Sequence, residues 1–143
     1  MSDKQLFEFV DSNILVYAYD SSAGEKNQIA RQLLLSLWEK KNGCLSIQTL
    51  QEFYVCITQK VPNPISQIEA AEIIKDFSVW KVHSPNAIDL LDAVDLQKKY
   101  KLSFWDAMII KSAISTHCEI VWSEDLNKGQ LIQGIKICNP FNS

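Results

Sequence analysis

Residues Phe7-Glu8-Phe9-Val10-Asp11-Ser12-Asn13-Ile14-Leu15-Val16-Tyr17 constrain the fold more than any other part of the chain. Aromatic and β-branched residues run up to an acid, Asp11, and apolar residues resume at once with no Gly or Pro between. That pattern reads as a buried strand that delivers a carboxylate to its own C-terminal edge and passes directly into a helix. Open α/β sheets place their ligand sites at that edge. A carboxylate there must stay hydrated, pair with a cation or take up a proton, because burying it bare is too costly. No Lys or Arg lies between Val10 and Tyr19. Two readings follow: Asp11 caps the helix starting at Ser12, or it ligates a metal.

The 143 residues suit one domain, spanning 1–143, with enough chain to bury about two-thirds of its unfolded surface. With 47% hydrophobic and 22% charged residues, a disordered chain is excluded. The net charge is −3, with thirteen lysines and one arginine, Arg31, which argues against a docking surface for duplex DNA. A brief encounter with a single strand stays open. Cys44, Cys56, Cys118 and Cys138 are widely spaced without a C-x-x-C pair, and Met1-Ser2-Asp3-Lys4 opens no apolar leader. Reduced thiols in the cytoplasm are the expectation. No apolar run approaches the ~18 to 20 residues of a membrane span.

After a short helix through Tyr19, Ser22 and Glu25 form a capping-box pattern before a helix to about Lys41, whose Ile29, Leu33, Leu34, Leu37 and Trp38 share one stripe. Cys44 to Ile47 reads as a buried strand. Thr49-Leu50-Gln51-Glu52 opens the next helix, which stops before Val61-Pro62-Asn63-Pro64. Ser66 and Glu69 make a further box at the head of a helix to Phe77, and Ser78 to Val82 reads as a strand. Ser84 caps a helix with Pro85 at its first position and Ile88, Leu91 and Val94 facing inward. Its outer face, with Asp89, Asp92, Asp95, Lys98 and Lys99, reads as solvated. The helix from Ser103 is apolar around most of its circumference and is expected to be buried on several sides. Strands at Glu119 to Trp122 and Ile135 to Ile137 close the pattern. Strands alternating with helices predict a parallel sheet covered on both faces.

In such a sheet the strand C-terminal ends share one edge. Asp11 and Asp125 follow strands, while Glu52 and Asp106 sit in first turns of helices, so topology gathers all four. Each also has a local explanation. Glu52 and Asp106 complete capping boxes with Thr49 and Ser103, and Asp125 can bond its own backbone in a Ser123-x-Asp125 turn. Together they matter more, because like charges ~4 Å apart repel by about 4 kcal/mol per pair at an effective dielectric near 20. A cluster of four needs a cation or raised pKa values. Oxygen ligands without His or Cys favour Mg²⁺ or Mn²⁺ over zinc. His83 and His117 lack a second ligand at metal spacing and read as structural or surface residues. Ser12 and Ser123 lack a nucleophile elbow and suit hydrogen bonding at the acids. Glu124 reads as facing solvent or backing the acids.

Phe9-Val10-Asp11-Ser12-Asn13-Ile14-Leu15, Gln51-Glu52-Phe53-Tyr54, Leu102-Ser103-Phe104-Trp105-Asp106-Ala107 and Ser123-Glu124-Asp125-Leu126-Asn127-Lys128-Gly129 occur in this order, with a closing Asn139-Pro140-Phe141. In these motifs the chain resembles PIN domains, and most closely the small VapC-type toxins. The resemblance implies an α/β fold, a three-layer α/β/α sandwich around a central parallel sheet, and Mg²⁺- or Mn²⁺-dependent endoribonuclease activity, with an activated water attacking a phosphodiester in line. It implies Asp11, Glu52, Asp106 and Asp125 as catalytic metal ligands and Asn13 and Ser123 as polar supports. Arg31, Lys128 and the Lys98, Lys99, Lys101 group are the available phosphate partners. It further implies a homodimer and, for the toxin class, an antitoxin. Neutralising the four acids takes the net charge from −3 to +1, which eases the approach of RNA.

Two other classes compete. A phosphatase of the haloacid dehalogenase type also places an Asp after its first strand, but Asn13 stands where that class needs a second Asp. A receiver-like or scaffold domain would bind Mg²⁺ in the acidic pocket without hydrolysis.

Overall fold

The structure, a computed structural model, describes residues 5–126 and 129–142. Among them the elements run β1 (Phe7–Val10), α1 (Ser12–Tyr19), α2 (Glu25–Lys40), β2 (Gly43–Ser46), α3 (Ile47–Gln59), α4 (Gln67–Phe77), β3 (Lys81–His83), α5 (Ala87–Tyr100), α6 (Phe104–Ser115), β4 (Cys118–Trp122), β5 (Leu131–Ile132) and β6 (Ile135–Cys138). One sheet holds the strands in the order β3-β2-β1-β4-β6-β5. All pairings are parallel except β5 with β6. The chain thus leaves β1 toward β2 on one side and returns to β4 on the other.

Side chains alternate across a strand, and here the alternation builds two cores. Phe9 and Cys44 face a cluster with Ala93, Leu96 and the buried face of α6, whereas the next residues, Val10 and Leu45, face Ile14, Leu34, Leu37, Phe53 and Phe77. Helices α1 to α4 therefore cover one face and α5 and α6 the other, giving the expected three-layer α/β/α sandwich. On α3, Leu50, Phe53 and Ile57 fall on one buried stripe, each worth about 1.5–3 kcal/mol of apolar burial. Helix α6 buries Ala107, Met108, Ile109, Ile110, Ser112 and Ala113, as its all-round apolar sequence predicts.

The structure corrects several local expectations. Gly24 caps α2 without a side-chain hydrogen bond, because Ser22 turns back to Asp20 through its N–H and Oγ. The box at α3 joins Ser46 to Thr49, so the helix starts earlier and Glu52 is released from any capping role. At α5 the cap is Asn86, paired with Asp89, and Ser84-Pro85 lie outside the helix. Strand β3 spans only Lys81–His83, since residues 78–80 turn. Ile88 and Leu91 do not face inward; each is 67% exposed, and Ala93 and Leu96 do the burying. Asp89 is largely covered, beside Lys111 and His83, while Asp92 pairs with Lys111 at 3.0 Å and stays half exposed. His83 is structural, bonding Ser112 Oγ at 2.8 Å and Asp89 at 3.1 Å. The sheet is not wholly parallel either. A two-residue turn, Gln133-Gly134, with positive φ at both positions, folds β5 back on β6 as a tight hairpin requires. The Ser66–Glu69 box stands as expected.

Candidate active site at the sheet edge

The point where strand order reverses lies between β1 and β4, and ligands of open α/β sheets bind outside the strand ends there. Asp11 N–H donates to Trp122 O at 2.9 Å, fastening the end of β1 to that of β4. The Asp11 side chain caps α1, its Oδ1 accepting the Ser12 N–H at 2.7 Å. Its Oδ2 accepts the Ser123 hydroxyl at 2.8 Å. Ser123 Oγ also accepts the N–H groups of Asp125 and Leu126, at 3.2 and 3.3 Å. The cap and the site are therefore the same carboxylate, and the two sequence readings of Asp11 do not compete.

Asn13 Nδ2 donates to Asp125 Oδ2 at 3.0 Å and lies 3.5 Å from Asp11 Oδ2. Ser12 Oγ donates to Glu52 Oε1 at 3.2 Å. Asp11, Glu52 and Asp125 are thus joined through Ser12 and Asn13 at the start of α1 and Ser123 after β4. Burial of Asp11 pushes its carboxyl up to about 6, against the hydrogen bonds from Ser123 and Ser12, and the charges of Glu52 and Asp125 add to the rise.

Asp106 is set apart. Its N–H is capped by Ser103 Oγ at 3.1 Å, while Gln48 Nε2 lies 3.5 Å from Trp105 O. The start of α6 therefore sits beside the start of α3, on the edge shared with Glu52, but no described contact joins the Asp106 carboxylate to the other acids. Among the described residues, no three His, Cys, Asp or Glu side chains converge closely enough to hold a metal ion as they stand. By chemistry the residues fit a hard cation: every donor is oxygen, and Asp11, with two acids near it, has no cationic partner among its hydrogen bonds. A cation would have to draw Glu52 and Asp125 inward onto Asp11.

Ser12, Asn13, Glu52 and Asp125 line a cavity of about 690 Å³ whose lining cation, among the described residues, is Lys60. Lys60 ends α3, its N–H bonded to Cys56 O at 2.8 Å. Sequence reading missed it, because nothing in the local pattern shows that the far end of α3 returns to the acids. Arg31 lines a separate groove of about 790 Å³ with Tyr19 and Trp38, where no acid is found among the described lining residues. Lys128 lies outside the described residues. Lys98, Lys99 and Lys101 cluster at the end of α5 and line no part of the acidic cavity.

A family model described as PIN domain matches residues 9–128. The chain belongs to the PIN domain family. Among solved structures, a toxin–antitoxin complex from Klebsiella pneumoniae superposes with a TM-score of 0.71 at 18% identity, over 95% of this chain and 99% of that one. A DNA-bound VapBC from Salmonella typhimurium gives 0.67 at 17% identity, covering 95% and 99%. VapC20 of Mycobacterium tuberculosis, described as a sarcin–ricin loop cleaving toxin, gives 0.63 at 18% identity, covering 82% and 91%. No curated protein matches the sequence. These neighbours share the PIN fold, and among the described residues no helix is long and apolar enough to cross a membrane.

Proposed function

We propose that this PIN protein is a Mg²⁺- or Mn²⁺-dependent endoribonuclease, the toxin of a type II toxin–antitoxin pair, acting as one PIN-like unit in the cytoplasm. The observation that carries the proposal is Asp11: a carboxylate at the switch point, pushed up to about 6 and linked through neutral side chains to two further acids. In this reading Asp11, Glu52, Asp106 and Asp125 hold the cation, and Asn13 and Ser123 orient the acids. When bound, the cation supplies acidification of water and offsets charge on the phosphate. Ser123 and Asn13 hold Asp11 and Asp125 through neutral hydrogen bonds, and Ser12 does the same for Glu52. Lys60 contacts a phosphate along the cavity, in place of Arg31. The description of VapC20 as a sarcin–ricin loop cleaving toxin supports RNA as the substrate class.

The deciding experiment is cleavage of single-stranded and structured RNA with and without EDTA. Activity should vanish on chelation and return with Mg²⁺ or Mn²⁺; cleavage indifferent to EDTA sinks the proposal. That no three acids converge on one point among the described residues favours one alternative, a non-hydrolytic Mg²⁺-binding α/β scaffold, which would stabilise with Mg²⁺ yet leave RNA intact. A phosphotransfer role of the haloacid dehalogenase type is opposed by Asn13, whose amide is committed to Asp125. Lys60→Gln should raise KM for RNA about three- to tenfold with kcat held, the signature of lost uniform binding; an unchanged KM removes Lys60 from the substrate path.

The proposal includes a homodimer and a cognate antitoxin. Exposed Ile47 and Val55 on α3 and Ile88 and Leu91 on α5 offer apolar faces for them. Sedimentation of the purified chain tests the first, and co-purification with the product of an adjacent small reading frame tests the second.

A further inference from the structure

Glu124 stands beside Asp125 and is gripped from behind by parts of the chain that the nuclease reading leaves without a role. Its Oε1 accepts the Tyr17 hydroxyl at 2.6 Å, and its Oε2 pairs with Lys26 Nζ at 2.5 Å. Lys26 Nζ lies 5.0 Å from the centroid of the Tyr17 ring and 5.5 Å from that of Phe141. Those two rings meet edge to face at 5.1 Å. Helices α1 and α2 and the segment after β6 thus converge on one carboxylate. From the main chain of the same residue, the N–H donates to Asn13 Oδ1 at 3.3 Å. An amide whose oxygen is engaged this way is turned to present its Nδ2 to the acids, and Asn13 does so toward Asp125 and Asp11.

We propose that Glu124 is a positioning residue for the acidic site: Lys26 and Tyr17 hold its side chain, and its backbone N–H sets the rotation of the Asn13 amide that keeps Asp125 beside Asp11. The consequence for cleavage rests on the nuclease reading; the contact itself does not. A surface ion pair alone contributes little to stability. Here its effect is orientation. The Asp125 side chain is exposed and tied to the site by the Asn13 amide, and repulsion from Asp11 and Glu52 favours its swinging out to solvent once that amide turns. Glu124→Ala keeps the backbone N–H and removes the side-chain hold on it, leaving the Ser123 hydrogen bonds of the following two residues.

Two readouts test this. In cleavage assays, Glu124→Ala should lower kcat about 10- to 100-fold, as loss of a supporting partner does, with KM changed less than about twofold and the melting temperature nearly constant. Glu124→Gln, which keeps an acceptor for the Tyr17 hydroxyl, should retain more of kcat than the alanine variant. In the metal-free protein, the side-chain amide signals of Asn13, read by NMR, should shift and exchange faster in Glu124→Ala. Unmoved Asn13 signals overturn the inference, as does a fall in activity matched by an equal loss of folded protein. If the wild type does not cleave RNA but the Asn13 signals move, the nuclease reading fails and the positioning role stands.

Discussion

Asp11→Asn should abolish RNA cleavage, by at least about 10³-fold, the scale on which removing a catalytic group acts, and at pH 8 it should make the metal-free protein harder to unfold. The second half follows from burial. The Asp11 carboxyl is raised from 3.8 to about 6, first by desolvation and then by Glu52 and Asp125. A carboxyl with a folded-state pKa above its unfolded value favours the fold when protonated. Its contribution is complete below pH about 4 and is lost as the pH rises through about 6, a displacement corresponding to about 3 kcal/mol. Asparagine removes that charge, yet has one carbonyl oxygen where the carboxylate accepts from both Ser12 N and Ser123 Oγ. The net gain at pH 8 should be about 1–2 kcal/mol, several degrees in Tm. Denaturation at pH 4 and pH 8 checks it: the gain should shrink at the lower pH, where wild-type Asp11 is itself protonated. Retained cleavage with added Mg²⁺ would refute the assignment of Asp11, and equal stabilities at pH 8 would refute the burial argument.

Gly43→Ala should cost about 2–4 kcal/mol and lower Tm by about 10 °C. Gly43 lies in β2 against the face of Trp80, and a Cβ there would stand 2.4 Å from Cζ3, 2.6 Å from Cε3 and 2.7 Å from Cη2. The ring has little freedom to retreat, because Phe77 packs on it at a centroid distance of 4.9 Å and Trp38 at 5.2 Å. Pairing the substitution with Trp80→Leu should return part of the loss, since the smaller side chain vacates the space the methyl needs. A melting temperature unchanged by Gly43→Ala would mean that the Trp80 cluster is loose enough to repack.

The edge that gathers the acids was legible where a residue's position follows from its place after a strand. Asp11 and Asp125 end strands that topology brings side by side, and a run such as Phe9-Val10-Asp11-Ser12-Asn13 announces that position without help from the fold. Glu52 was expected in the first turn of a helix opened by Thr49, but α3 starts at Ile47 and its first turn holds no acid, so Glu52 lies in the second turn. Thr49 and Ser46 both carry hydroxyls at capping distance, and only the end of β2 at Ser46 shows which one starts the helix. Ile88 and Leu91 failed for a related reason. Their spacing on α5 fits an inward stripe, yet the facing surface of α6 admits Ala93 and Leu96 instead. The grip on Glu124 was invisible because Tyr17 and Lys26 stand 107 and 98 positions away from it, and Lys60 shares a cavity with Asn13 and Asp125 only once the fold is made.

Periodicity and chain punctuation by themselves determined the layered α/β architecture, the buried character of α6 and the edge on which the acids lie, because these depend on which face of each element is apolar and on the direction of each strand. Tertiary structure alone decided which acids share partners. Asp11, Asn13, Ser123 and Asp125 form one hydrogen-bonded group with Glu52 reached through Ser12, while Asp106 waits nearby on α6. The physical reason is range: hydrogen bonds at about 3 Å depend on side-chain rotamers and on how helices seat against a twisted sheet, and neither is set by neighbours in sequence.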